Sequence, residues 1–501
     1  MRPELNRQNC GVLDIGSNSV RFVIYEVFGA AFSSVYDEKV LAGLGRDLRR
    51  TGRLHEGGKE RALRALKRFA VLARHKGLED RLLIASTAAL RDAEDAADFI
   101  SRVRMETGLD ITPLSGPEEA KCAALGVIAN EKRARGLVAD LGGASLEMTQ
   151  IGAGQVLNGR SYRLGPFALY DGEFEPDILR PKIKTILGPN WAEIYADSKA
   201  LYLVGGAWRN LANIHQKRTQ YPLRLVQNYK ISRREAQALA RWAISKQGRA
   251  ALLSWPNVSR RRAETLPYSG LMLDILLGEL AVSDIVIAPG GLRDGLVYQS
   301  LGPQIRKRDA LLDACAGLVM RDAAEARMGQ AVYGFISACL PFAEKVLGAV
   351  DGPRLLQAAC MLSGVGLGLH PAHRAQIVYE IALYGPLSGL THKERAWLAL
   401  CVFRSFRSTK TPPAARIIES FLNRDGQTSA ALCGEAIRAA IVLSARTPDI
   451  LTAFELKADR QALVLSAQAG QADLLIERSL SHFQALAGLM GKAFRFQQSK
   501  G

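Results

Sequence analysis

Paired cysteines, a membrane-length apolar run and a balance of charge are all missing from this 501-residue chain. The seven cysteines, at positions 10, 122, 315, 339, 360, 401 and 433, form no CxxC pair and are odd in number. No thiolate metal spacing appears, so the thiols read as reduced and buried, as in cytosol. No apolar run reaches the roughly 18 residues that would span a bilayer, and no signal-peptide pattern opens the chain; a cytoplasmic location is expected. Acids are short. Against 66 Lys and Arg stand 49 Asp and Glu, a net charge of +17. Such a field draws polyanions (nucleic acid, an acidic membrane surface, a phosphate-rich substrate), unless it is only a basic solvated surface. Low-complexity linkers are absent too, although the chain is too long for one core. Packed domains are expected.

What is present begins with a repeat. Residues 11–25, GVLDIGSNSVRFVIY, read as two strands joined by a tight turn. Residues 137–151, LVADLGGASLEMTQI, repeat the pattern, with Asp140, Gly142 and Ser145 where Asp14, Gly16 and Ser19 stood. A strand–Asp–Gly turn–strand unit used twice predicts two related halves facing each other. Glycine lets backbone amides approach an anion, and Ser17, Asn18, Ser19 and Ser145 add side-chain donors. Asp14 and Asp140 cannot bind phosphate themselves, but they make sense beside it if they hold a cation. Each turn alone could equally be an ordinary hairpin capped by its own Asp.

The spacing predicts strands at 11–15, 20–28, 82–86 and 137–140, and helices at 58–75, 92–106 and 117–130, an α/β layer pattern. ALYLVGG (200–206) and DIVIAPGG (284–291) each read as a buried strand running into Gly-Gly and then a helix. From Arg308 to Leu443 nearly everything is helical, with breaks at Gly352-Pro353, Gly385-Pro386 and Pro412-Pro413. A last α/β piece follows, with a strand at 462–468 and a helix from Asp473 to Gly491.

In PLSGPEEAK (113–121) Ser115 and Glu118 form a capping box, which could be the whole meaning of the Glu118-Glu119 pair. Glu147 lies seven residues past Asp140, where the first copy carries Arg21. Period-two alternation puts Ser145, Glu147 and Thr149 on one face. A carboxylate there is either a metal ligand or a base for water. Arg91, just past a buried strand, could clamp a phosphate or form a surface ion pair with Asp92 or Glu94. Basic residues cluster at 46–76 (Arg46, Arg49, Arg50, Arg53, Lys59, Arg61, Arg64, Lys67, Arg68) and at 217–262, ending in Arg260-Arg261-Arg262.

DIGSNSVRFVI, STAALRDA, LSGPEEA, ADLGGASLEM, VGGAWRNLA and APGGLRDGLVY, in that order, resemble the exopolyphosphatase/guanosine pentaphosphate phosphatase family of the actin–sugar kinase–Hsp70 superfamily. The resemblance covers about residues 9–300 and extends more weakly through the helical region. It implies two facing actin-like (ribonuclease H-like) domains, 1–122 and 123–302, an all-helical HD-related domain, 303–445, and a small α/β C-terminal domain, 446–501. It implies that the Asp-Gly turns are phosphate-binding loops (Gly16, Ser17, Asn18, Ser19; Gly142, Gly143, Ser145). By the same matching Glu119 is the catalytic base and Glu147 its acidic partner. Asp140, with Glu147 and Asp14, would lie at Mg²⁺ or Mn²⁺, Arg91 would contact phosphate, and Gly205-Gly206 and Gly290-Gly291 would be further loops around the cleft.

This sequence departs from the family pattern in GGAS for GGGS and in Leu146 for a usual Thr. Where HD phosphohydrolases carry a His-Asp dyad it reads Ser363-Gly364; with His370 and His373 nearby but no dyad, no metal is expected there, and the domain would serve dimerisation and long-chain binding. The resemblance implies Mg²⁺-dependent hydrolysis of the terminal phosphoanhydride of inorganic polyphosphate. Two alternatives stand: removal of the 5′ phosphate of guanosine pentaphosphate by the same site, and a nucleotide-sensing regulator with weak activity. A homodimer is expected, with guanosine penta- or tetraphosphate or polyphosphate as ligand, no specific nucleic acid and no transmembrane segment. Ser17 or Ser19 as a nucleophile is disfavoured, because neither turn carries a His or Lys base.

Overall fold

The computed structural model describes residues 7–169, 174–256, 258–319, 323–406 and 411–498, without the side chains of Arg261 and residues 323–326. The chain forms two compact units, Met1–Arg308 and Asp309–Gly501.

The first unit holds two sheets built to one plan. Strands β1 (Gln8–Ile15), β2 (Val20–Phe28) and β3 (Ala31–Val40) form an antiparallel meander, and β4 (Leu82–Ser86) joins β1 in parallel, giving the order β3-β2-β1-β4. The second sheet repeats the meander as β5 (Gly136–Leu141), β6 (Leu146–Gly152) and β7 (Gln155–Tyr162). It continues through parallel β8 (Ala200–Val204) and β10 (Asp284–Ile287), with antiparallel β9 (Tyr229–Ser232) at the edge. The registers match. Asp14 faces Arg21 across the first hairpin, and Asp140 faces Glu147 across the second.

Two helices trade places between these lobes. The helix Gly116–Asn130 is rich in glycine and alanine, and from Cys122 to Ala129 it is buried on every side. Its Ala124, Val127 and Ile128 pack with Val138 and Ile151 of the second sheet. In return the helix Leu292–Ser300 sends Val297 against Cys10, Val12, Val23 and Tyr25 of the first. The boundary expected at 122/123 therefore falls inside one continuous helix.

The second unit is mostly helical, as the sequence suggests. Gly352-Pro353 does not break it: both residues lie in the first turn of the helix Asp351–Leu362, where proline costs no hydrogen bond. The three-stranded sheet β11-β12-β13 (Phe454–Ala458, Ala462–Ala467, Ala493–Gln498) closes the chain. Its helix Glu477–Leu489 is tied to the helix Arg424–Ser444 by His482 Nδ1 on Glu435 Oε1 at 2.6 Å. Residues 309–501 thus make one unit, and the 445/446 boundary marks a change of secondary structure within it. All seven cysteines are free and buried. His370 caps the helix Pro371–Tyr384, its Nδ1 accepting from Ala372.

The exchange of helices needs backbone to touch backbone. A Cβ on Gly126 would lie 2.2 Å from the Gly291 carbonyl oxygen, a distance no side chain tolerates. Gly126→Val is expected to destabilise the first unit by about 1–3 kcal/mol or more by overpacking. Gly278, with nothing within 4 Å, serves as control, and Gly278→Ala should be neutral or slightly stabilising. Chemical denaturation of both variants measures the difference.

Candidate active site

The two Asp-Gly turns are the same object. In the first, the Gly16 amide donates to the Ser19 carbonyl at 2.9 Å; in the second, Gly142 donates to Ser145 at 2.9 Å. Both are then strapped from behind by a segment that begins three residues past the third strand. Gly43 and Gly45 donate to the carbonyls of Asn18 and Ser17 at 3.0 and 2.8 Å, while Gly165 and Phe167 donate to those of Ala144 and Gly143 at 2.9 and 2.8 Å. Holding the carbonyls from one side leaves the amides to the other. Among the described residues the amides of Ser17, Asn18, Gly143 and Ala144 meet no backbone acceptor. The Asn18 side-chain oxygen is buried without a partner, as expected of a polar group waiting for a ligand. Both turns line one cavity of about 280 Å³, together with Glu119, Asp140, Glu147 and Gly206. Gly205 lies behind that wall at φ +117°, where a Cβ would press on the Leu141 carbonyl.

Four carboxylates converge on this cavity, in different states. Asp14 is paired with Arg293, Nη1 to Oδ2 at 2.5 Å. Glu119, in the first turn of the helix Gly116–Asn130, is buried and accepts from Arg91 Nη1 at 2.9 Å. Burial lifts its carboxyl to about 7 against the pull of Arg91, with Asp140 and Asp14 adding to the rise. Asp140 is lifted to about 6, by burial first and then by Asp14, while Arg209 and Arg293 oppose. Glu147 is pushed well above the carboxylate range by burial and by the charges of Glu119 and Asp140; Ser161 donates to its Oε1 at 2.8 Å. As the alternation required, Ser145, Glu147 and Thr149 are all buried, and Thr149 donates to the Ala120 carbonyl one residue past Glu119. Glu118 serves the capping box with Ser115.

Arg91 is engaged by the protein itself. Its guanidinium is committed to Glu119, to the Leu114 carbonyl at 3.0 Å and to Asp92 at 3.3 Å, and it is not part of the cavity wall. It holds Glu119 in place. Among the described residues no three His, Cys, Asp or Glu side chains come close enough to enclose a metal ion by themselves. The donor set is nonetheless hard oxygen, its three carboxyls lifted first by burial and then by the charge of neighbouring carboxylates, and a divalent cation would relieve that repulsion. Asp140 and Glu147 fit such an ion, with the remaining ligands supplied by water and phosphate oxygens in the manner common for Mg²⁺.

Two cations also stand in the cavity wall, of which the sequence reading missed Lys39. Lys39 on β3 and Arg262 at the start of the helix Arg260–Glu279 line it from opposite lobes, and neither has an acid within salt-bridge distance among the described residues. Withdrawal from water and the field of Arg262 both push the Lys39 ammonium down. Arg262 ends a basic run visible in the sequence. Lys39 faces Arg21 across the β2–β3 pair, but β3 alternates exposed polar residues and gives no strand signal. The basic cluster at 46–76 lies elsewhere, and most of it is already paired: Lys59 with Asp95, Lys67 with Glu106, Arg68 with Glu38, and Arg61 with the Ala42 carbonyl.

Comparison with known proteins places the chain in a family. The model of the Ppx/GppA phosphatase family matches residues 23–304, and one described as exopolyphosphatase, C-terminal, matches residues 334–497. Retrograde regulation protein 2 of Saccharomyces cerevisiae is 24% identical over 443 residues, 79% of this chain and 73% of its own. A guanosine-5′-triphosphate,3′-diphosphate pyrophosphatase of Aeromonas hydrophila is 25% identical over 484 residues, 92% of each chain. The crystal structure of an exopolyphosphatase from Cytophaga hutchinsonii shares the fold, with a TM-score of 0.53 at 19% identity over 60% of this chain and 99% of that one. With more than half its length matched by the family model, and with the twin strapped turns facing each other over the carboxylates, the chain belongs to the Ppx/GppA phosphatase family.

Proposed function

We propose that this protein hydrolyses the terminal phosphoanhydride of inorganic polyphosphate, releasing orthophosphate. The observation that carries the reading is the pair of identically strapped turns with a carboxyl near neutrality between them. The free amides of both turns would receive the terminal phosphoryl oxygens, supplying charge stabilisation without reorganisation. Glu119, aligned by Arg91, would take a proton from water as its oxygen attacks the terminal phosphorus. The bridging P–O bond breaks, and the shortened chain leaves as an anion. Lys39 and Arg262 are suited to offset the charge on that leaving chain. A divalent cation bound by Asp140 and Glu147 would supply further charge neutralisation at the phosphoryl oxygens. Thirteen of the seventeen net positive charges belong to residues 1–308, the unit that carries the cleft.

A second reading is removal of the 5′ phosphate of guanosine pentaphosphate. It is favoured by one specific feature, the apolar stretch of the cavity wall formed by Pro166, Phe167 and Leu266 beside Arg262, which a nucleoside could use. A purely regulatory role is disfavoured by the survival of Glu119 and Glu147 together. Phosphate release measured side by side on polyphosphate and guanosine pentaphosphate decides between the substrates.

Glu119→Gln is expected to lower kcat by about 10²–10⁴ while leaving polyphosphate affinity largely intact, because the residue moves a proton and does not hold the anion. A variant retaining most of its kcat would remove Glu119 from the mechanism. The pH profile gives an independent check. Glu119 acts deprotonated, so kcat should rise with pH through about 7. Arg91→Gln removes the group that pulls this carboxyl down, and the rise should move to higher pH; an unmoved profile would contradict the assignment. Chelation by EDTA should silence the protein and Mg²⁺ or Mn²⁺ should restore it, whereas full activity in EDTA would leave Asp140 and Glu147 without a metal role.

A further inference from the structure

The two meanders can be laid over one another rung by rung. In the first sheet Asp14 faces Arg21 and Arg21 faces Lys39, so one rung across β1, β2 and β3 carries three charged side chains on one face. In the second, Asp140 faces Glu147 and Glu147 faces Ser161, at the same places on β5, β6 and β7. The duplicated unit thus carries opposite chemistry at equivalent positions. In the first rung Arg21 is held by Asp37 at 2.6 Å and Asp14 by Arg293, and Lys39 reaches the cavity wall. The second rung brings two carboxyls and one hydroxyl.

Ser161 is the member of that rung with no place in the cavity wall. It is half-buried, although the residues before it on β7, from Leu157 to Arg160, are all exposed. Its hydroxyl donates to Glu147 Oε1 at 2.8 Å, and Glu147 is 2% exposed. Behind it stands Gly116, the first residue of the helix that carries Glu119, where a Cβ would lie 2.8 Å from the Ser161 Cβ. Two residues earlier on β7, a Cβ on Gly159 would lie 3.2 Å from Thr149 Oγ1 and 3.4 Å from the Ala120 Cβ. Bare backbone at Gly116 and Gly159 lets the helix and the strand close on each other. The Ser161 hydroxyl is wedged between Glu147 and the helix start. A donor fixed in this way sets the plane of the carboxylate it holds.

We propose that Ser161 is a positioning residue for the divalent cation: its hydroxyl holds the Glu147 carboxylate in the orientation in which Glu147 and Asp140 share one ion. This rests on the cation assigned to those two carboxylates above. Groups that orient a ligand from outside the coordination shell typically account for about 10–100-fold in metal affinity. The internal repeat supports the assignment. At the equivalent place the first rung puts Lys39 into the cavity, where an anion would lie; the second stops short with a small hydroxyl and leaves the room to Glu147.

Binding of Mn²⁺ to the full-length, substrate-free protein, read from the electron paramagnetic resonance signal of the unbound ion, tests this without reference to turnover. Ser161→Ala should weaken Mn²⁺ binding by at least about tenfold. Ser161→Cys, which keeps a side chain but donates weakly, should lose a similar share. Asn158→Ala, on the exposed part of the same strand, should match the wild type. A serine that only filled the fold would lower the thermal midpoint of the metal-free protein and leave Mn²⁺ affinity alone; that result overturns the proposal. So does a wild type that binds no Mn²⁺. Full affinity in Glu147→Gln overturns it together with the metal role of Glu147, whereas loss in Glu147→Gln with full affinity in Ser161→Ala removes Ser161 alone. Should the Ser161 variants show the expected loss while no phosphate is released from polyphosphate, the hydrolytic reading fails and the Ser161 assignment stands.

Discussion

The cleft depends on the contact between two stretches of bare backbone, Gly126 against Gly290-Gly291. There the helix that carries Glu119 lies against the turn next to Asp140. That proximity fixes the depth at which Glu119 sits, and depth is what removes its carboxyl from water. Arg91 and the mutual repulsion of Glu119, Asp140 and Glu147 act on top of that burial, in opposite directions. A side chain at the crossing would move the base, its acidic neighbours and the two turns relative to one another, since all ride on elements that meet there. The chemistry is a consequence of how closely two chains can pass.

Much of this arrangement was legible in the residues. The duplicated Asp-Gly turn predicted two related halves, and the halves share register, turn closure and strapping. Period-two alternation put Ser145, Glu147 and Thr149 on one face, and that face is buried toward the Glu119 helix. The third strand of each meander was not legible. Segments 31–40 and 155–162 lie at sheet edges with mostly exposed polar side chains, so no apolar periodicity marks them. Losing β3 and β7 hid Lys39 and Ser161, because their positions opposite Arg21 and Glu147 exist only once the strands are paired.

Arg91 and Asp14 show a different limit. Residue type and local spacing assigned each a ligand, a phosphate for one and a cation for the other. Each also has a protein partner remote in sequence, which the local reading did not supply: Glu119 for Arg91, Arg293 for Asp14. Long-range ion pairs leave no local trace. In the cluster at 46–76, pairing of Lys59, Lys67 and Arg68 with Asp95, Glu106 and Glu38 likewise offsets part of what composition advertises.

The exchange of helices also bears on what can be taken apart. The first sheet is covered on one side by residues 292–300, nearly the last of the unit, and the second sheet by residues 116–130, which follow the first lobe directly. Neither lobe is therefore a module in the genetic sense. A fragment ending near residue 122 would leave Val12, Val23 and Tyr25 open to water, and one starting there would lack half of a helix that fills its own interior. The smallest heritable and foldable piece that keeps the cleft is the whole stretch to residue 308, so gene fission or domain shuffling within it would have to preserve both crossings at once.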